Sequence, residues 1–198
     1  MSVIETKLIP PPLRAGTVVR GELLDRLTAA KGSSVVGIFA PAGYGKTTLL
    51  AQSIAREQRP VAWVSLDAGD NDPVVLLSHV AVAVDRLLPL TPALFAMLSS
   101  PGTFEPSTIQ RVCAELSALP EHVLVLDDVQ LVSGSFGRDA IAALALSVGE
   151  GSQTVLSGRS VEGLPIARLR ATGRLLEIGA ADLALDAAET RGCSNTLA

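Results

Sequence analysis

Aromatic side chains are scarce: one Trp, one Tyr and four Phe make up 3% of the 198 residues. So few ring faces leave little on which single-stranded bases could stack. Basic charge is short as well. Lys and Arg total 16 against 20 acidic residues, a net charge of -4 with a pI near 5.2, which argues against a free-standing nucleic-acid binder working by phosphate neutralisation. No direct DNA binding is therefore expected of this chain. Cysteine is limited to Cys113 and Cys193, which by number and spacing make neither a disulfide framework nor a zinc site. A reducing, cytoplasmic setting is the default. Long apolar runs are missing too: the stretch 140–148 falls far short of the roughly 18 residues a membrane-spanning helix needs. Residues 1–16 carry charges at Glu5, Lys7 and Arg14 and have no apolar signal core, so neither membrane insertion nor secretion is indicated.

What is present is apolar and regularly patterned. Hydrophobic residues reach 48%, charged residues only 18%, and the mean hydropathy is +0.41, values that suit one sizeable core in one domain. Short β-branched or aliphatic runs alternate with stretches of helical spacing, the pattern of a parallel sheet covered by helices. Five strands are expected, at 35–39, 61–66, 123–127, 154–157 and 174–178. Between the second and third, Asp72 and Pro73 open a helix whose buried stripe is Leu76, Leu77, Val80, Ala81, Val84 and Leu87. Pro106 opens another, with Ile109, Val112, Cys113, Leu116 and Leu119 inward. The segments 89–92 and 99–102 read as turns.

Chemistry concentrates at two places. Residues 40–48, APAGYGKTT, follow the apolar run GIFA and precede the helical stretch LLAQSIAR. This is the P-loop pattern, with Ala40 where the stricter form has Gly. Gly43 and Gly45 permit unusual dihedrals, so backbone N–H groups can surround phosphate oxygens at a helix N-terminus. Lys46 would reach the β and γ phosphates, and the Thr47 hydroxyl would sit on Mg²⁺. The second place is VLVLDD at 123–128. A buried strand ending in Asp127 brings a carboxylate to the sheet edge, where it can hold Mg²⁺, with Asp128 placed to orient the attacking water. The fourth strand, TVLS, runs into Gly158 and Arg159. If that strand lies between the other two, giving a spatial order 5-1-4-3-2, Arg159 can report the γ-phosphate. A solvated surface arginine is the other reading of Arg159.

Taken together, TKLIPPP, VVRGELLDRL, PAGYGKTTLL, VAWVSLDAGDNDP, LVLDD, LSGR and LPIARLRATGRLLEIGAADLAL resemble the ATPase module of the large LuxR-family, maltose-activator-like transcriptional regulators of the STAND class. The resemblance runs over residues 6–190. It implies an α/β P-loop NTPase three-layer sandwich acting as a nucleotide switch: ADP holds a monomeric resting form, and ATP with an inducer permits self-association and promoter activation. It implies ATP or ADP with Mg²⁺ as cofactors. Ala42, Gly43, Tyr44, Gly45, Lys46, Thr47 and Thr48 would form the nucleotide loop, Thr47 and Asp127 the metal site, Asp128 and Arg159 the catalytic and sensing pair, and Arg20 the approach to the base. Gly158 departs from relatives in which Ser runs straight into Arg. Trp63 reads as a core residue, and Asp70 and Asn71 as caps of the following helix.

The same resemblance divides the chain into an N-terminal segment at 1–34, the P-loop domain at 35–180, and at 181–198 the start of a lid helix with an unrelated tail. Asp186 and Glu189 have capping-box spacing, yet no apolar period follows. A truncated or frameshifted product, or a fragment, with weak binding and little turnover is expected. Two other readings stay open: a non-catalytic module that associates with full-length relatives, and a small P-loop kinase, against which the acidic pair and LSGR speak.

Overall fold

The computed structural model describes residues 3–100 and 104–184. The expected capping-box helix at 186–189 and Cys193 lie outside the described residues.

Five strands pair in parallel: β1 (Val35–Phe39), β2 (Val61–Ser65), β3 (Val123–Asp127), β4 (Gln153–Gly158) and β5 (Leu175–Gly179). Their spatial order is β2-β3-β4-β1-β5, the predicted 5-1-4-3-2 read from the other edge. The register aligns Phe39 with Gly158, Phe39 with Gly179, and Ser65 with Asp127. The C-terminal ends of all five strands therefore open on one edge, where ligands of such sheets bind.

Alternation along the strands feeds two cores, because successive side chains point to opposite faces. Val35, Phe39, Val64, Leu124, Leu126 and Leu156 join the larger one. Its helices are α3 (Pro73–Asp85), α4 (Pro92–Ser99), α5 (Pro106–Ser117), α6 (Ser135–Leu146) and α7 (Ile166–Ala171). Val36, Ile38, Trp63, Val125, Val155 and Ile178 join the other, covered by α1 (Gly21–Ala29), α2 (Lys46–Ile54) and α8 (Ala180–Leu183). Trp63 is the expected core residue, 2% exposed, with its indole N–H donating to Ser65 Oγ at 2.8 Å. No helix among the described residues is long and apolar enough to cross a membrane.

Several local expectations change. Helix α4 occupies residues between two predicted turns, since Pro92 stands at its first helical position and Thr91 caps it through the Leu94 N–H. Leu87 is 44% exposed rather than inward. Helix α3 stops at Asp85, so the helical period no longer governs Leu87. Leu119 is only partly buried. Asp72 does cap α3, accepting from the Val74 N–H at 2.8 Å, and this displaces Asp70 and Asn71 from that role.

Those two residues tie distant parts of the chain together. Asp70 is fully buried and bonded to Lys7 and His79. Asn71 Oδ1 accepts from the Ser133 N–H at 2.7 Å and the Gly134 N–H at 2.6 Å, docking the entry to α6. Asn71→Ala should lower unfolding free energy by about 1–2 kcal/mol, measured by urea denaturation. An unchanged midpoint would mean that water replaces the amide without loss.

Candidate nucleotide site

The loop between β1 and α2 owes its shape to Gly43 and Gly45, at φ +85° and +74°. A side chain at either would be strained whatever the space around it. Among the described residues, a turn closes over 42–43, and the Gly45 and Lys46 N–H groups stand at the start of α2, where a helix leaves its first N–H groups without intrahelical partners. Lys46 is only 7% exposed, and its ammonium donates to Ala40 O at 2.8 Å and Pro41 O at 3.0 Å. Its charge is thereby held across the base of the loop. Ala42, Gly43, Tyr44 and Gly45 are exposed on the loop, and Thr48 on the first turn of α2.

The ends of β3 and β4 meet this loop. The Thr47 hydroxyl donates to Asp127 Oδ2 at 2.8 Å, so the two predicted metal ligands are neighbours in space. Burial pushes the Asp127 carboxyl above its ordinary range, and the adjacent Asp128 adds to the rise; the Thr47 hydrogen bond opposes it. Ser157 is fully buried at the end of β4, and its hydroxyl makes no hydrogen bond, though it lies near enough to ease the Asp127 shift. A buried carboxylate with hydroxyls around it is an all-oxygen donor set that suits a hard divalent cation.

Asp128 adopts a left-handed backbone, φ +61°, a conformation that Asp tolerates better than most residues. Its carboxylate accepts from Gln130 Nε2 at 2.8 Å, and Gln130 Oε1 accepts the Arg159 N–H at 2.9 Å. Gln130 therefore links the two residues predicted to act together. Close approach explains the Gly at 158: a Cβ there would lie 2.8 Å from Val129 Cγ2 and 3.0 Å from Gln130 Oε1. Arg159 sits just beyond the strand between β1 and β3, as expected, and is exposed to solvent.

Beside the loop lies a cavity of about 450 Å³ lined by Val18, Arg20, Gly43, Tyr44, Gly45, Thr48, Leu49, Leu183 and Ala184. Arg20 lines it, and its guanidinium binds main-chain carbonyls: Leu183 O at 2.9 Å, Asp182 O at 3.3 Å and Ala184 O at 3.3 Å. Its first task is to hold a wall. A second recess of about 280 Å³ lies where Pro11, Leu13, Arg14 and Thr17 pass Thr47 and Thr48.

Sequence reasoning missed Gln52, Gln130, Ser157 and this passage of the N-terminal segment. The adjacency of Gln130 to LDD was a usable signal. No local signal pointed to the other three.

A family model described as AAA domain matches residues 29–162. The HTH-type transcriptional regulators MalT of Cronobacter sakazakii and of Klebsiella pneumoniae are each 32% identical over 96% of this chain and 21% of their own length. The chain thus spans about a fifth of the curated relatives it matches. Among solved structures, a STAND protein with a tetratricopeptide repeat sensor from Pyrococcus horikoshii aligns with TM-score 0.59 at 15% identity, covering 95% of this chain and 26% of that one. A Walker-type ATPase of Pyrococcus abyssi aligns with TM-score 0.57 at 12% identity, over 96% and 60%. At such identities the structural likeness concerns the fold alone.

Proposed function

Because the chain belongs to the AAA domain family, we propose that it is the ATP-binding module of a MalT-like transcriptional regulator, a nucleotide switch that takes ATP or ADP with Mg²⁺. The observation that carries this reading is the Thr47–Asp127 hydrogen bond at 2.8 Å. It joins the hydroxyl on the first turn of the phosphate-loop helix to the carboxylate ending β3, the pairing that phosphoryl-transfer sites of this type use for magnesium.

In this proposal the N–H groups at the start of α2 take phosphate oxygens, with Ala42, Gly43, Tyr44 and Thr48 shaping the rest of the loop. Lys46 leaves Ala40 O and Pro41 O to neutralise the β and γ phosphates. Thr47 and Asp127 hold the cation, which when bound screens the charge between the phosphates. Asp128 orients water, and Arg159 swings from solvent to sense the γ-phosphate. The cavity beside Tyr44 and Leu49 receives base and ribose, its apolar lining suiting a ring face. Gln130 ties up one oxygen of Asp128, and the Arg159 side chain starts in solvent. Turnover is accordingly expected to be slow, as befits a switch.

Residues 35–180 are proposed as the nucleotide domain proper, with 1–34 leading into it and 181–198 leaving it. Self-association, association with full-length relatives and a cytoplasmic location belong to the same proposal.

Calorimetric titration with ATP, with and without Mg²⁺, tests the core of it. Wild type should bind more tightly with Mg²⁺ present. Asp127→Asn should bind ATP equally well in either buffer, having lost the anionic ligand. Preserved Mg²⁺ enhancement in that variant would remove Asp127 from the metal site.

A further inference from the structure

We infer that Gln52 is a positioning residue for the base end of the nucleotide site, acting through the main chain at 18–20 and through Arg20. The inference rests on the nucleotide-binding reading above and assigns to one buried amide the job of holding the cavity's walls together.

Gln52 lies on α2, the helix whose N-terminus carries the phosphate loop. It is 6% exposed, an unusual place for an amide unless both of its ends are satisfied. Both are. Its Nε2 donates to Val18 O at 2.8 Å, and its Oε1 accepts the Arg20 N–H at 3.4 Å. The amide thus engages the carbonyl of Val18 and the N–H of Arg20, two residues apart. Segment 18–20 pairs with no strand of the sheet, so this side-chain clamp supplies what a neighbouring strand would.

The clamp continues outward. From Arg20 the guanidinium reaches the carbonyls of Asp182, Leu183 and Ala184, and Asp182 is held in turn by Arg26 of α1 at 2.6 Å. The cavity's lining residues fall into three groups: Val18 and Arg20, the loop and first turn of α2, and Leu183 with Ala184. Hydrogen bonds of Gln52 tie the first group to α2, the helix that carries the second, and those of Arg20 tie it to the third. Lys46 and Thr47, by contrast, are secured by Ala40 O, Pro41 O and Asp127, whereas Gln52 holds Val18 O and the Arg20 N–H. The phosphate end and the base end therefore have separate supports on one helix.

That separation makes the inference testable with two ligands. ATP fills both ends, whereas inorganic tripolyphosphate fills only the loop. Gln52→Met keeps the side chain's length and removes both hydrogen bonds. It should weaken MgATP binding by about tenfold or more and leave magnesium tripolyphosphate binding unchanged. Arg20→Met should reproduce that pattern, and the double variant should lose less than the product of the single losses, because both cut one linkage.

Equal loss of ATP and tripolyphosphate binding in Gln52→Met would overturn the inference, since it would mark a general structural role. Undiminished ATP binding would overturn it as well. Failure of wild type to bind either ligand would instead remove the nucleotide-binding reading on which the inference rests.

Discussion

Replacing Lys46 with Met is expected to lower MgATP affinity at least about 100-fold, close to 3 kcal/mol. Among the described residues the loop offers neutral N–H donors and one buried cation, 7% exposed. Neutral donors alone give shallow binding of a multiply charged phosphate in competition with water. A desolvated ammonium makes hydrogen bonds roughly twice as strong. That ammonium rests on Ala40 O and Pro41 O, so it is already largely desolvated at the base of the loop, which reduces the desolvation cost of binding. Methionine retains the stem that packs under the loop, and circular dichroism should show an unaltered fold. Calorimetry with ATP and with ADP checks the effect. Unchanged affinity for both would refute phosphate capture by this loop.

The largest effect on stability is expected at Asp70. This carboxylate is completely buried and receives Lys7 Nζ on one oxygen and His79 Nδ1 on the other. The Asp67 N–H also donates to it at 2.8 Å, while Lys7 reaches Asp67 at 3.1 Å. His79 Nε2 accepts the Ile4 N–H at 3.3 Å, which leaves Nδ1 to donate to Asp70. A charge network inside the fold therefore pins residues 4–7 against α3. Asp70→Ala removes the anion and strands a 7%-exposed lysine beside the half-buried Asp67, a loss of about 3–5 kcal/mol. That is a large part of the ~5–15 kcal/mol that holds an ordinary domain folded. Lys7→Met in the same background should recover much of it, because two apolar groups cost less there than a buried ammonium left with only the half-exposed Asp67.

The pH dependence of this network has a definite sign. Burial alone would raise the Asp70 carboxyl, but the hydrogen bonds from His79 and Lys7 outweigh it and leave the pKa below the ordinary value of 3.8. A carboxylate depressed in the folded state stabilises it at pH values above the unfolded pKa. That contribution fades as pH falls from there through the folded pKa. Wild type should therefore lose stability over that acid window more steeply than the Asp70→Ala variant. Thermal melting across the window is the measurement, and parallel curves for the two proteins would contradict the assignment.

The layered sheet was readable because its signals are local. Each strand is a short aliphatic run bounded by turn residues, and β1 and β3 match the expected limits at both ends. The loop at 40–48 was readable for the same reason, as the glycines, lysine and threonine that shape it are consecutive in the chain. Helix α4 was not, because Pro92 has the same letter whether it closes a turn or opens a helix. The buried roles of Lys7, Gln52 and Asp70 were invisible for a deeper reason. A polar residue has no periodic signature of its own, and its partners here lie far away in sequence: Asp70 for Lys7, and Val18 with Arg20 for Gln52.

What the chain of residues determined by itself is the five strands, the helices that open at Pro73 and Pro106, the strand order implied by the motif class, and the glycine-rich loop with its acidic partner strand. The elements and the loop follow from propensity, apolar periodicity and consecutive residues, and the order from the motif class. Only the tertiary structure decided that Thr47 meets Asp127, that Gln130 joins Asp128 to Arg159, that Arg20 grips carbonyls at 182–184, and that the N-terminal segment is locked down by a buried ion network. Hydrogen bonds between remote side chains depend on distances to within a few tenths of an ångström. Such distances exist only once two cores have packed the helices against a sheet of fixed register.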